Sequence, residues 1–225
     1  MSWESSAQYY RIINETVKEK LGGLRSAKIV MYSFDFEEME KLQHEARWDE
    51  AAGLLIDAAQ RLEKAGADFL VICTNTMHIV ADEVQNNSGI PLLHIADATA
   101  ERIKTTALKK IGLLGTKFTM EKDFYKGRLT EKHGLEVVIP DAHKRQVVHD
   151  VIYRELCLGQ IKQRSREQFK SIIRHLVQHG AEGIILGCTE IGLLLKQKDA
   201  QVPLFDTTII HAKSAARLAM EHPLT

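Results

Sequence analysis

A sulfhydryl and a hydroxyl occupy matching places in two near copies of one motif, "GADFLVICTNTMH" at 66–78 and "GAEGIILGCTEIG" at 180–192. Aligned on their first glycines, an offset of 114, the copies pair Thr74 with Cys188, Asn75 with Thr189 and Thr76 with Glu190. Each apolar run reads as a buried strand entering a polar turn, and strand ends that face a crevice are where α/β sheets put ligands. Two acid/base groups of this kind suit proton transfer on both faces of one carbon, because a single base does not readily reach both. Cysteine suits such a role because its reference pKa of about 8.5 lets thiol and thiolate alternate near neutrality. The Thr74 hydroxyl is a poor carbon base but can donate or relay a proton. Cys73 lies one residue earlier, where strand alternation points its side chain to the opposite face. Backbone amides after Thr74 and Cys188 are candidates to hold a carboxylate and spread developing negative charge. The same residues also have bland roles. Asn75, Thr76 and Thr189 are common turn formers, Glu190 complements a helix N-terminus or binds an ammonium, and buried cysteine is often mere packing.

The elements that would position these groups alternate along the chain. Strand-like runs at 26–34 (SAKIVMYSF), 68–74, 91–95, 110–116, 135–140, 183–189 and 202–206 are separated by helix-period segments such as 49–65 (DEAAGLLIDAAQRLEKA). That order predicts an α/β fold, mainly parallel sheet flanked by helices. The repeat extends further: 90–100 (IPLLHIADATA) parallels 202–212 (VPLFDTTIIHA), and 115–129 parallels 1–13. Two similar lobes are therefore expected, 1–104 and 105–225. In the second, the strand at 110–115 precedes its loop, whereas the first begins directly at the loop. Counterparts of residues 111–114 would fall before Met1, so the strand lies upstream or the lobe has lost it. A lobe without it exposes backbone groups of the neighbouring strands.

Composition limits the functional classes. With 225 residues and 44% apolar content the chain can bury a sizeable core, and 30 basic against 30 acidic residues leave no net field for nucleic acid or an anionic membrane. No apolar run approaches the roughly 18 residues of a membrane span, and "MSWESSAQYY" lacks the features of a signal peptide, so a cytoplasmic location is expected. Three cysteines, Cys73, Cys157 and Cys188, are an odd number and are expected as thiols. No CxxC or Cys/His clustering suggests a metal.

The combination of "MSWES", "CTNTMH", "GCTEIG" and "FDTTIIHA" resembles the aspartate/glutamate racemase superfamily over nearly the whole chain. The resemblance implies two pseudo-symmetric α/β lobes with the active site in the cleft between them, a homodimer, and racemisation of a small amino acid without a cofactor. It makes Cys188 and Thr74 the catalytic pair, in a position where the family more often has two cysteines. Cys188 would take the α-proton of the L-enantiomer, with Thr74 protonating the other face. The substrate-binding residues it implies are Met1, Gln43, Asn75, Thr76, Thr189 and Glu190, with Ser2 on the same loop as Met1. Some aspartate-specific relatives carry lysine where this chain has Cys157, which argues against strict aspartate specificity unless Arg154 or Lys117 compensates. Histidines 78 and 211 match family positions but read as hydrogen-bonded structural residues. The expected substrates are L-aspartate and L-glutamate. The alternatives are a broad-specificity racemase, a dicarboxylate-binding protein, or a related decarboxylase or isomerase.

Overall fold

The repeat read from the sequence is present in the backbone. The helix before each motif ends on a glycine at positive φ, Gly66 at 87° and Gly180 at 92°. Each is closed by the same two bonds: Ala67 N–H to Leu62 O (3.1 Å) with Gly66 N–H to Glu63 O (2.9 Å), and Ala181 N–H to Leu176 O (3.0 Å) with Gly180 N–H to Val177 O (2.9 Å). These are glycine-dependent helix ends, because an L side chain is strained at such φ. The computed structural model describes residues 2–221. Its chain separates into two units, Met1–His94 with His211–Thr225, and Ile95–Ile210.

In the first unit, α1 (Trp3–Leu21) is capped by Ser2, whose hydroxyl accepts from Ser5 N–H at 3.1 Å. Helices α2 (Phe36–His44) and α3 (Trp48–Lys64) follow. The inward face of α3 is Ala51, Ala52, Leu55, Ala58 and Ala59, spaced three and four apart as an amphipathic helix requires. Strand β1 (Leu70–Val71) leads through a 3₁₀ turn (Thr76–Val80) into α4 (Ala81–Asn86), then β2 (Leu92–Leu93) pairs parallel to β1. Met39, Leu42, Leu55, Leu70, Met77, Val80 and Val84 form the core of this unit.

The second unit begins with α5 (Ile95–Lys104), then β3 (Lys110–Gly115), two short helices α6 (Lys117–Glu121) and α7 (Asp123–Gly127), a π turn, and β4 (Glu136–Val138). Helices α8 (Ala142–Arg154) and α9 (Gln163–Gln178), strand β5 (Gly183–Gly187), α10 (Ile191–Leu194), β6 (Leu204–Asp206) and α11 (Thr207–Glu221) complete the chain. All pairings in the four-stranded sheet, order β4-β3-β5-β6, are parallel. Its strands read as continuous apolar runs because helices cover both faces: Ile111, Leu113, Leu114, Ile184, Ile185 and Leu186 are all buried. Gly115 and Gly187 end β3 and β5 side by side, so close that a Cβ on Gly115 would sit 2.7 Å from the Gly187 carbonyl oxygen.

Two expectations differ from what is observed. The division of the chain lies at 94/95 rather than 104/105, and the last helix of each repeat goes with the other unit. Asp97 on α5 receives a bidentate pair from Arg128 (2.7 and 2.8 Å), while His211 on α11 bonds Tyr9 and Leu93 (2.8 Å each). The strand expected at 26–34 is also absent: residues 25–35 form no helix or strand, and Val30, Met31 and Tyr32 are 49, 48 and 43% exposed. A β-prone sequence becomes a strand only when a neighbour supplies hydrogen bonds.

Candidate active site

In the first unit, β1 ends in a tight bend in which Thr74 N–H donates to Ile72 O at 2.8 Å. Thr74 is half-buried, whereas Asn75, Thr76 and His78 are buried. His78 Nδ1 lies 2.8 Å from Thr74 O. A carbonyl can only accept, so this nitrogen carries the proton and the imidazole fixes the bend. The His78 N–H donates to Asn75 O at 3.1 Å, starting the 3₁₀ turn. His94 meets the His78 ring edge-on at 4.5 Å between centroids, and His211 lies 5.9 Å away. His211 Nε2 donates to Leu93 O (2.8 Å), so its Nδ1 accepts from the Tyr9 hydroxyl (2.8 Å). Burial depresses the His211 pKa to about 4, leaving a neutral ring at physiological pH.

Gln43 on α2 is 2% exposed, and its Nε2 donates to Met77 Sδ at 3.2 Å, which brings it beside the Thr74–Thr76 bend. Cys73 packs with Tyr9, Ile12 and Ala212. The Ser5 hydroxyl holds the Cys73 carbonyl (2.8 Å), and burial raises the Cys73 thiol to about 11. Ser2 is buried as the α1 cap. Met1, expected to contact substrate, lies outside the described residues.

In the second unit, Cys188 follows Gly187 at the end of β5. Its Sγ donates to Glu190 Oε2 at 3.0 Å, and the Thr189 hydroxyl donates to the same oxygen at 2.6 Å. Thr189 and Glu190 are 5 and 6% exposed. Burial, then the negative charge of Glu190, pushes the Cys188 thiol well above its ordinary pKa, with Cys157 adding to the rise. The resting group is therefore a protonated thiol aimed at a carboxylate. Leu193 N–H to Glu190 O (3.0 Å) and Ile191 N–H to Cys188 O (3.1 Å) form the first turn of α10. Thr207 Oγ1 pins the strand end by donating to Leu186 O (2.8 Å), and Asp206 Oδ1 accepts from Thr208 N–H (3.0 Å) and Ile209 N–H (3.2 Å).

The structure thus gathers Thr74, Asn75, Thr76 and Gln43 in one unit, and Cys188, Thr189 and Glu190 in the other. The two cations weighed as compensating for a lysine at 157 have partners of their own. Arg154 is 80% exposed beside Asp150, and Lys117 Nζ is bonded to Gln146 Oε1 at 3.0 Å. His78 and His211 are hydrogen-bonded structural residues, as expected, but sequence reasoning missed the two residues that complete their cluster, His94 and Tyr9. The one available signal was that His94 occupies the repeat position of Asp206, the cap of α11. Among the described residues no group of three His, Cys, Asp or Glu could hold a metal ion, and no helix is long and apolar enough to cross a membrane.

Comparison with known proteins bears on this arrangement. The family model for Asp/Glu/hydantoin racemase matches residues 1–215. The broad specificity amino-acid racemase RacX of Bacillus subtilis (strain 168) is 32% identical over 171 residues, 74% of this chain and 71% of that protein. A Yersinia pestis protein of known crystal structure is 57% identical, with a TM-score of 0.91 over 97% of this chain and 95% of its own. An aspartate racemase homologue from Pyrococcus horikoshii OT3 is 38% identical, with a TM-score of 0.83 over 96 and 94%.

Proposed function

This chain belongs to the Asp/Glu/hydantoin racemase family, and from that premise we propose that it inverts the α-carbon of amino acids, L-aspartate and L-glutamate foremost, with Cys188 and Thr74 as its acid/base pair. The observation that carries this reading is the thiol of Cys188, 3.0 Å from the Glu190 carboxylate at one of two repeat-related strand ends, the other of which bears Thr74. The resting thiol must lose its proton before it can act as a base. That proton passes to Glu190 Oε2, and the thiolate removes the Cα hydrogen. The electron pair left on Cα delocalises into the substrate carboxylate, which backbone amides after Thr74 and Cys188 receive. Delivery of a proton to the opposite face from the Thr74 hydroxyl completes the inversion; Cys188 keeps the proton taken from Cα, and Glu190 releases its proton to solvent as solvent reprotonates the Thr74 oxygen. A substrate ammonium near Glu190 offsets the negative charge that holds the thiol pKa high. Asn75, Thr76, Thr189 and Gln43 are the proposed orienting contacts.

Because threonine is the weaker base, proton removal from the D-enantiomer is the slower chemical step, while equilibrium still fixes the ratio of the two specificity constants. A second reading, broad substrate range, is favoured by the similarity to a broad specificity racemase and by Cys157 standing where a carboxylate-pairing lysine would narrow the choice. The test is solvent-deuterium incorporation at Cα across a panel of L- and D-amino acids. Exchange into L-aspartate or L-glutamate that disappears in Cys188→Ala supports the reading, and stabilisation by these ligands without exchange refutes it.

A further inference from the structure

In the first unit an imidazole, His78, fixes the backbone that carries Thr74. The second unit has an imidazole in a comparable place, and the proposed reaction does not use it. His149 on α8 lies with Nδ1 3.2 Å from Lys117 N, and a backbone N–H can only donate, so Nδ1 is unprotonated and the ring accepts. Phe118 and Tyr153 meet this ring at 6.1 and 4.8 Å between centroids and hold its plane. Two more bonds join α8 to α6, Lys117 Nζ to Gln146 Oε1 (3.0 Å) and Arg145 Nε to Glu121 Oε1 (2.8 Å). Both link long side chains in contact with solvent, which constrain position weakly. Of these three bonds, that of His149 alone grips the backbone.

The gripped segment is a wedge against the strand end that bears Cys188. Gly115 and Gly187 pair at the ends of β3 and β5, and the methyl group of Thr119 fills the space beside both. A Cβ on Gly115 would lie 3.2 Å from Thr119 Cγ2, and one on Gly187 would lie 3.3 Å from the same atom. Thr119 is fully buried. Its N–H donates to Thr116 Oγ1 (3.3 Å) and Met120 N–H donates to Thr116 O (3.0 Å), so residues 116–120 form one turn that includes Lys117. Moving that turn moves Thr119 off Gly187, and the residue after Gly187 is Cys188. We infer that His149 is a positioning residue for Cys188: by accepting from Lys117 N–H it holds the 116–120 turn against the end of β5 and so fixes where the thiol stands. Its effect on rate rests on the proposed role of Cys188, whereas its effect on the thiol rests on the packing alone. Placement matters because an error of about 1 Å in a reacting group can cost about 100-fold in rate.

The test uses two variants. His149→Asn offers Oδ1 as acceptor in the place of Nδ1, and His149→Leu keeps an apolar body beside Phe118 and Tyr153 but has no acceptor. Two readouts are taken: Cα deuterium exchange into L-aspartate and L-glutamate, and the rate at which iodoacetamide alkylates Cys188 in substrate-free protein, followed by peptide mass. Alkylation of Cys73, in the first unit, is the internal control for global unfolding. In His149→Leu, kcat for exchange should fall ~10-fold with KM within ~2-fold, because a misplaced base weakens the chemical step and leaves the binding contacts. Alkylation of the half-buried Cys188 should quicken ~5-fold, the equivalent of one lost hydrogen bond, with Cys73 unchanged. His149→Asn should stay within ~2-fold of the wild type in both readouts. Wild-type alkylation of Cys188 in His149→Leu overturns the inference, and so does an Asn variant as altered as the Leu variant, which would make the ring a packing element only. Absence of Cα exchange in every protein, the wild type included, fails the proposed reaction, while the alkylation rates still decide the part played by His149.

Discussion

Lowering the pH should unlock the first unit through His211. Its ring is 0% exposed, donates to Leu93 O and accepts from Tyr9, and burial lowers its pKa from 6.5 to about 4. Between those values the unfolded chain binds a proton that the folded chain refuses. The neutral ring therefore contributes fully above about pH 6.5, and that contribution is lost as pH falls toward 4. A shift of this size corresponds to about 3 kcal/mol in full, of which about 2 kcal/mol is gone by pH 5. For a chain of this length that is roughly 4–8 °C in Tm. Differential scanning calorimetry of the wild type and His211→Gln at pH 7.5 and pH 5 isolates the effect, because the amide keeps one donor and one acceptor but does not titrate in this range. The wild type should lose several degrees more than the variant over that interval. Equal losses would refute the reasoning and leave His211 a packed ring with no part in the acid sensitivity. Since His211 contacts the His78 ring and His78 holds the Thr74 carbonyl, proton exchange from D-amino acids should fall in step with Tm.

Two further perturbations follow from the geometry. In Glu190→Gln the charge that raises the Cys188 thiol is gone, so the pH profile for alkylation of Cys188 should move to lower pH while Cα exchange slows for want of a proton acceptor. An alkylation profile that stays put or moves up would contradict the pairing. Gly115→Ala drives a methyl group into backbone at 2.7 Å and should destabilise the second unit by about 1–3 kcal/mol in urea denaturation. Wild-type stability in that variant would mean that β3 and β5 are spaced more loosely than described.

Much of the fold was legible because its cause is local. The period of α3, the glycine ends at Gly66 and Gly180, and six of the seven expected strands follow from patterns that neighbouring residues enforce on one another. Residues 26–34 have the same β-prone composition as the strands that formed, and they failed because strand pairing is a property of two segments. Gln43 reads equally well as a solvated helix residue, and only packing shows it buried against Met77. The tyrosine and three histidines under Thr74 are separated by up to 202 residues, a distance at which no periodicity operates.

The sequence by itself determined the repeat and therefore the alignment of Thr74 with Cys188, since both copies run from a helix-ending glycine through an apolar strand into a polar segment at the same offset. Tertiary structure alone decided that α5 and α11 each join the opposite unit, because long-range ion pairs and buried hydrogen bonds, not local preference, select a helix's partner. It also decided the protonation of the key groups. A thiol raised by burial and Glu190, and an imidazole kept neutral by burial, take those states from the solvent and charge that folding removes or supplies around them.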